Sequence, residues 1–189
     1  MGFGRRAPQG RPRADPGPGG AGGPDHVTQP DHVTQEDVQL VTFRVAGQDF
    51  GFNIFQVERV LRYEPPAPLP KAPDFLEGVL RYQGAAVPVI DLRKRLGVSA
   101  PHREETRTIV LEWDGAKIGV VVDAVSEVMQ VAATQVTSPP SIVRGLAAEY
   151  IAGLVVKDAR TVIVLNATRL LNSTEKLALD AVVQEKAQP

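Results

Sequence analysis

Residues 78–96 read G-V-L-R-Y-Q-G-A-A-V-P-V-I-D-L-R-K-R-L. The run through Val79 and Leu80 is strand-like, Gln83-Gly84-Ala85 supply turn chemistry, Val87, Val89 and Ile90 make a second strand, and Asp91 caps a short helix. Residues 153–171, G-L-V-V-K-D-A-R-T-V-I-V-L-N-A-T-R-L-L, repeat this layout without a gap, and Asn166 stands in the place of Asp91. A second duplicated block lies upstream of each copy. Residues 41–60 align with residues 109–128, so that Gly47 matches Gly115, Gly51 matches Gly119, Val57 matches Val125 and Val60 matches Val128. A chain duplicated in this way is a two-lobed internal repeat, and its function follows from how the lobes pair.

The 189 residues are 43% hydrophobic and 23% charged, enough for one medium domain or two small ones with a core. A formal net charge of −1 and 5% aromatic residues give neither general attraction to polyanions nor a base-stacking surface, so nucleic acid is not an expected partner. The absence of cysteine excludes disulfides, thiolate nucleophiles and Cys-ligated zinc, and fits a reducing cytosol. Apolar runs are broken early, as residues 120–122 are by Asp123, and no apolar segment follows the basic residues near Met1. Neither a membrane span nor a signal peptide is expected.

Residues 1–24 hold 8 of the 17 glycines and 5 of the 16 prolines, a composition that cannot offset the entropy of ordering. Residues 1–38 are therefore read as a disordered tail. It includes a tandem hexapeptide, P-D-H-V-T-Q at 24–29 and again at 30–35, taken as an ordinary duplication and not as a metal site. From Gln39 the pattern turns to strand: residues 40–45 are rich in β-branched and aromatic types, and Phe50, Phe52 and Ile54 alternate with period two. Ile54, Val57, Val60 and Leu61 then fall at helical spacing, which predicts one or two turns of amphipathic helix before Tyr63. The Pro-rich residues 65–73 are read as a rigid crossover between core elements in preference to an SH3 ligand.

Residues 97–105 are polar and serve as the expected boundary between lobes of about 39–98 and 106–171. The second half turns at Asp114-Gly115, and its Pro139-Pro140 stretch takes the place of the first Pro-rich loop. Asn172-Ser173-Thr174-Glu175 predicts the capped start of a C-terminal helix over about 173–186, docked on its own lobe. Eight to ten short strands in two sets imply two small β-barrels. Each is too small to be comfortable alone, so a shared apolar core is expected between them, beside a groove suited to a partner.

An enzyme needs convergent polar groups, and few are present. His26 and His32 lie in the tail and His102 in the linker, Asp91 and Asn166 read as caps, and Asp123 reads as a turn or cap acid. Arg93, Lys94 and Arg95 read as a solvated face or its contact with an acidic partner. Gly78 and Gly153 open matching strands where side chains would be expected, a sign of close approach by another backbone, internal or from a partner.

These blocks together resemble the CheW-like domain family of bacterial chemotaxis coupling proteins. The carrying residues are Q-L-V-T-F at 39–43, F-G-F-N-I at 50–54, Gly78-Val79, V-P-V-I-D-L-R at 87–93, G-V-V-V-D at 119–123 and L-L-N-S at 170–173. The likeness spans roughly residues 38–183, and the expected domain is 39–183. No kinase, phosphotransfer or receiver segment fits the chain, so the free-standing coupler is favoured over the kinase CheA and the adaptor CheV. The resemblance implies two SH3-like five-stranded barrels, no catalysis, no cofactor and no metal. Its implied partners are the regulatory domain of the histidine kinase CheA, the cytoplasmic tip of methyl-accepting chemoreceptors and other coupler copies in array rings. The implied location is cytoplasmic, at membrane-associated arrays without direct membrane insertion. Carried over by position, Val57, Arg59, Val60, Gly78, Arg81, Gln83 and Gly84 are implied at the kinase contact, and Ile54, Gly119, Val125 and Gly153 at the receptor contact.

The chain also departs from the family. Arg81-Tyr82-Gln83-Gly84 stands where Asn-Leu-Arg-Gly is common, and Arg59 stands where an acid is often found. A rewired polar contact is expected there, with an acid on the kinase facing Arg59 or Arg81. Gly78→Asp is expected to abolish partner binding while the fold survives. A coupler for a non-chemotactic pathway controlling pili or development remains an alternative, as does, from another class, a nucleic-acid-binding SH3-like module.

Overall fold

The computed structural model describes residues 37–113, 115–139 and 148–187. The disordered N-terminal tail and the tandem hexapeptide expected from sequence lie outside that set, apart from Asp37 and Val38, which already belong to the first strand.

Local turn chemistry sets the hairpins. Val45 pairs with Gln48, Tyr82 with Ala85 and Lys157 with Arg160. The two loop residues between each pair, Ala46-Gly47, Gln83-Gly84 and Asp158-Ala159, all have positive φ. That geometry matches the right-handed twist of the flanking strands. The strands are β1 (Asp37–Val45), β2 (Gln48–Asn53), β3 (Val57–Arg62), β4 (Leu76–Tyr82), β5 (Ala85–Asp91), β6 (Arg107–Trp113), β7 (Ala116–Val122), β8 (Ala124–Ala132), β9 (Ile151–Lys157) and β10 (Arg160–Leu165). Two helices, α1 (Leu92–Arg95) and α2 (Ser173–Ala187), follow β5 and close the chain. Trp113 pairs with Ala116 as the expected tight turn requires, although Asp114 itself lies outside the described residues. Residues 140–147, and with them most of the second Pro-rich stretch, lie outside as well.

The strands form two five-stranded sheets of the SH3-like type, in the orders β8-β1-β2-β10-β9 and β3-β6-β7-β5-β4. Here the structure departs from the lobes read as 39–98 and 106–171. Each sheet takes the first hairpin of one repeat and the last three strands of the other, so both halves are split between the sheets. Parallel pairing sews them together: Gly51 lies beside Val164 and Val89 beside Gly119. The chain crosses between sheets at the 3-10 turn Ile54–Gln56 and at Asp123, while residues 97–105 connect two elements of the same sheet and mark no boundary. The helix expected before Tyr63 is also corrected. Only Ile54–Gln56 is helical, because the β-branched run from Val57 is captured by a ladder to β6 in which Val57 faces Leu111 and Val60 faces Ile109.

The shared core is present. Phe43, Phe50 and Phe52 of the first sheet and Ile90, Ile109, Leu111, Val120 and Val122 of the second belong to one buried cluster. Phe43 stacks on Phe52 with ring centroids 4.9 Å apart. Smaller clusters lie on the far faces, around Leu40, Val155 and Val162 in one sheet and Tyr82, Val87 and Val110 in the other. Burying both faces of sheets this small supplies the apolar area that neither would bury alone. The terminal helix does not dock on its own lobe as expected; it packs on β5 of the first repeat. Its Leu179 joins the shared cluster, and its start is a reciprocal capping box in which Glu175 N donates to Asn172 Oδ1 (2.8 Å) and Asn172 N donates to Glu175 Oε2 (2.8 Å).

Candidate functional site

Asp91 and Asn166 cap as their sequence positions imply, accepting from Arg93 N (2.9 Å) and Thr168 N (3.0 Å). Asp91 does more than cap. It grips Arg93 through both carboxylate oxygens, at 2.9 Å to Nε and 2.7 Å to Nη2. Arg93 is only 1% exposed, so the reading of residues 93–95 as a solvated basic face fails for Arg93. Lys94 is paired with Glu77 at 2.8 Å, and Arg95 makes two 2.9 Å bonds to Glu175 while its guanidinium lies over Phe75. Arg93 and Arg95 face inward, where the short helix carries them over largely desolvated carboxylates, while Lys94 stays exposed at its bond to Glu77.

Arg93 also spans the crossing between the sheets. Its Nη1 donates to Pro101 O (3.1 Å) and lies 3.5 Å from Asp123 Oδ1. Asp123 Oδ2 in turn accepts from Ala46 N at 2.7 Å, and Asp123 N donates to Arg44 O, which is the turn role its position predicts. Burial pushes the Asp91 carboxyl up, but the bonds and charge of Arg93 outweigh it and hold the group below its ordinary range. His102 is not an idle linker residue. It stacks on Tyr63 with centroids 4.0 Å apart and sets Nδ1 2.9 Å from Arg93 Nη2. Burial first, then the Glu77 charge, pushes the Tyr63 phenol up to about 12. Glu77, Asp91 and His102 converge closely enough to hold a metal ion. Their negative charge is already balanced by Arg93 and Lys94, and the donor set fits an ion-pair network.

The positions implied at the partner contacts separate into three kinds. Arg59 and Val60 on β3, Arg81 on β4 and Gln83 and Gly84 in the β4–β5 turn are exposed, and Val60 keeps 39% of its surface. Val57, Ile54 and Val125 are half-buried, the first and last packed against the shared core. Gly78, Gly119 and Gly153 are buried against other residues of this chain. A Cβ on Gly119 would sit 3.1 Å from Thr108 Cγ2 and 3.2 Å from Val89 Cγ2, so a side chain there would crowd the sheet's own residues.

Gln83 belongs to a polar cluster within the chain. Lys117 Nζ donates to Glu58 Oε1 (2.7 Å) and to Gln83 Oε1 (3.1 Å), tying β3, β7 and the β4–β5 turn together. Its ammonium also lies 5.3 Å from the Tyr82 ring centroid. The hydrogen bond to Lys117 draws the Glu58 carboxyl below its ordinary value. Sequence reasoning passed over Lys117 and Glu58. The available signal was a lone cation two residues past Gly115 in an otherwise apolar strand.

The comparisons agree with this architecture. Residues 39–175 match the sequence model of the family described as the CheW-like domain. The chain is 33% identical over 149 residues to a chemotaxis protein CheW of Klebsiella aerogenes, covering 77% of this chain and 89% of the relative. It is 30% identical over 145 residues to the CheW of Treponema pallidum, covering 74% and 85%. Protein FrzA of Myxococcus xanthus is 30% identical over 140 residues, covering 72% and 87%. Among solved structures, the scaffolding protein TtCheW of Thermoanaerobacter tengcongensis superposes with a TM-score of 0.68 at 30% identity, covering 74% of this chain and 92% of that one.

Proposed function

The chain belongs to the CheW-like domain family of coupling and scaffolding proteins, and from that premise we propose that it is a non-enzymatic adaptor joining chemoreceptor tips to the regulatory domain of a CheA-type histidine kinase. One observation carries the reading: the likeness to a scaffolding protein covers both sheets and their shared core, not one lobe alone. The internal ion pairs support it, because the groups that would do chemistry in an enzyme are committed to holding the sheets together. In this reading the unit acts at membrane-associated arrays from the cytoplasmic side, and among the described residues no helix is long and apolar enough to cross a membrane. The kinase meets the face bearing Arg59, Val60, Arg81 and Gln83, and the receptor meets the region of Ile54 and Val125.

Co-purification from the native cell tests the proposal. Kinase and receptor recovered together are the expected result, and recovery of RNA or a metabolite in their place overturns it. The likeness to FrzA, a relative not named for chemotaxis, favours a second reading as the coupler of another chemosensory pathway. Loss of a motility or developmental phenotype with intact chemotaxis, on deletion of the gene, selects that reading.

A further inference from the structure

The loop between α1 and β6 is fastened at its ends by backbone and in its middle by one side chain. Val98 N donates to Arg93 O (2.7 Å) at the start, and at the end Arg103 N donates to Thr106 Oγ1 (2.8 Å) and Thr106 N to Arg103 O (3.1 Å). Between them, among the described residues, the hydrogen bonds of Pro101 and His102 all go to the Arg93 guanidinium. Arg93 does not depend on them, since both Asp91 oxygens hold it and Asp123 lies 3.5 Å away. The His102 ring meets charge from each element around it. Arg93 Nη2 on α1 is 2.9 Å from Nδ1, Glu77 Oε2 on β4 is 3.8 Å from Nε2, and Tyr63 at the end of β3 stacks with centroids 4.0 Å apart. Asp91 on β5 also lies close, but its oxygens are taken by Arg93, and Glu77 is shared with Lys94 and the Tyr63 hydroxyl. A guanidinium only donates, so the 2.9 Å contact makes Nδ1 the acceptor and sets the proton of the neutral ring on Nε2, toward Glu77. The side chain keeps 35% of its surface, so solvent protons reach it.

We propose that His102 is a pH-operated catch on this loop: neutral, it fastens the loop to Arg93, and protonated, it leaves Arg93 and pairs with Glu77. Histidine is the side chain whose charge ordinarily changes between about pH 5 and 8. A proton taken from solvent by Nδ1 turns the acceptor into a donor that faces a guanidinium, so the bond is lost and like charges oppose one another. The same proton sets a full positive charge beside Glu77, and the ring closes the remaining gap to that carboxylate. The bond lost and the ion pair gained oppose one another in free energy, so the exchange moves the loop with little change in overall stability. It acts on the outer strands of the second sheet, because Tyr63 follows β3 and Glu77 lies in β4. The inference does not depend on the adaptor reading.

The test is an NMR titration of the full chain from about pH 8 to about pH 5. It follows the His102 ring, the Arg93 guanidinium and the Tyr63 ring, with the Phe43 ring of the shared core as reference. The Arg93 and Tyr63 signals are expected to move with the same midpoint as the His102 ring, and the hydrogen-bonded Arg93 signal to be lost below it, while Phe43 stays still. His102→Gln supplies an uncharged acceptor and is expected to keep the Arg93 and Tyr63 signals level across the range. Glu77→Gln withdraws the carboxylate that favours the charged ring and is expected to move the common midpoint to lower pH. Arg93 signals that ignore the His102 titration in the unmodified chain overturn the inference. The same pH response in His102→Gln assigns it to another group and overturns it as well. Movement of Phe43 with the other signals means loosening of the whole core in place of a partner exchange, and likewise overturns it.

Discussion

The backbone of Ala67 fills the space into which a side chain at Gly78 would project. The Ala67 carbonyl carbon lies 2.8 Å and Pro68 Cα 3.2 Å from where a Cβ would stand, and Gly78 has φ +148°. Ala67 and Val79 exchange two backbone hydrogen bonds, of 2.9 and 2.8 Å, so the Pro-rich segment is an extra rung on β4. The second repeat does the same: Thr137 and Leu154 exchange bonds of 2.9 and 2.8 Å while Val136 covers Gly153. The close approach inferred from both glycines is therefore internal. It leaves no room for the expectation that Gly78→Asp spares the fold.

Substitution at Gly78 should unfold the protein before it tests any interface. The new Cβ meets rigid backbone at a φ that side chains rarely adopt, so Gly78→Ala is expected to lose about 2–4 kcal/mol in urea denaturation. Gly153→Ala should lose less, because the first atom met there is a methyl of Val136 and φ is ordinary. Equal losses at the two positions would contradict the account of Gly78.

Arg93→Met leaves Asp91 buried without its partner. The expected loss is about 3–5 kcal/mol in chemical denaturation. Adding Asp91→Leu to that variant should recover part of the loss, since no uncompensated charge then remains. A single variant as stable as the parent would show that the seam does not depend on this pair.

Acid should weaken the fold in a defined window. Asp49 and Asp91 both have folded values below the ordinary 3.8, Asp49 because the Arg160 and Arg44 bonds outweigh its burial. Each carboxylate contributes its full stability above the unfolded value, and the contribution disappears as pH falls through the lower folded value. Denaturant midpoints should therefore hold steady from neutrality to about pH 5 and decline below about pH 4. Asp91→Asn should flatten that decline, and an unchanged slope would remove Asp91 from the explanation.

Asn172→Ala removes one side of the α2 capping box. A loss of about 1 kcal/mol is expected, with faster amide exchange confined to the first turn of the helix. Uniform exchange throughout the domain would mean that the cap supports more than its own helix.

Local features of the fold were legible residue by residue. Gln83-Gly84 marks a hairpin because glycine tolerates positive φ, Asp91 and Asn166 mark caps because a short acceptor there reaches a free backbone N–H, and Asn172 with Glu175 marks a helix start. The β3 strand was misread because Val57, Val60 and Leu61 fit a helical period as well as an extended one, and the ladder to β6 chose between them. The candidate site was less legible. Arg93 looks like an exposed cation in sequence, and only the carboxylates of Asp91 and Asp123, one from the neighbouring strand end and one from 30 positions away, show it to be buried.

By itself the amino-acid order determined the duplication, the turns, the caps and the apolar alternation, since each depends on residues within a few positions of one another. Tertiary structure alone decided that the two repeats exchange strands, that Gly78 and Gly153 are covered by the chain's own loops, and that Arg93 is buried on Asp91 while Lys94 stays exposed at its bond to Glu77. Side-chain period states which face of a strand is apolar, but it does not say which distant strand will lie alongside. That choice, and the charge pattern it leaves on the surface, is made when both apolar faces of each sheet are covered at once.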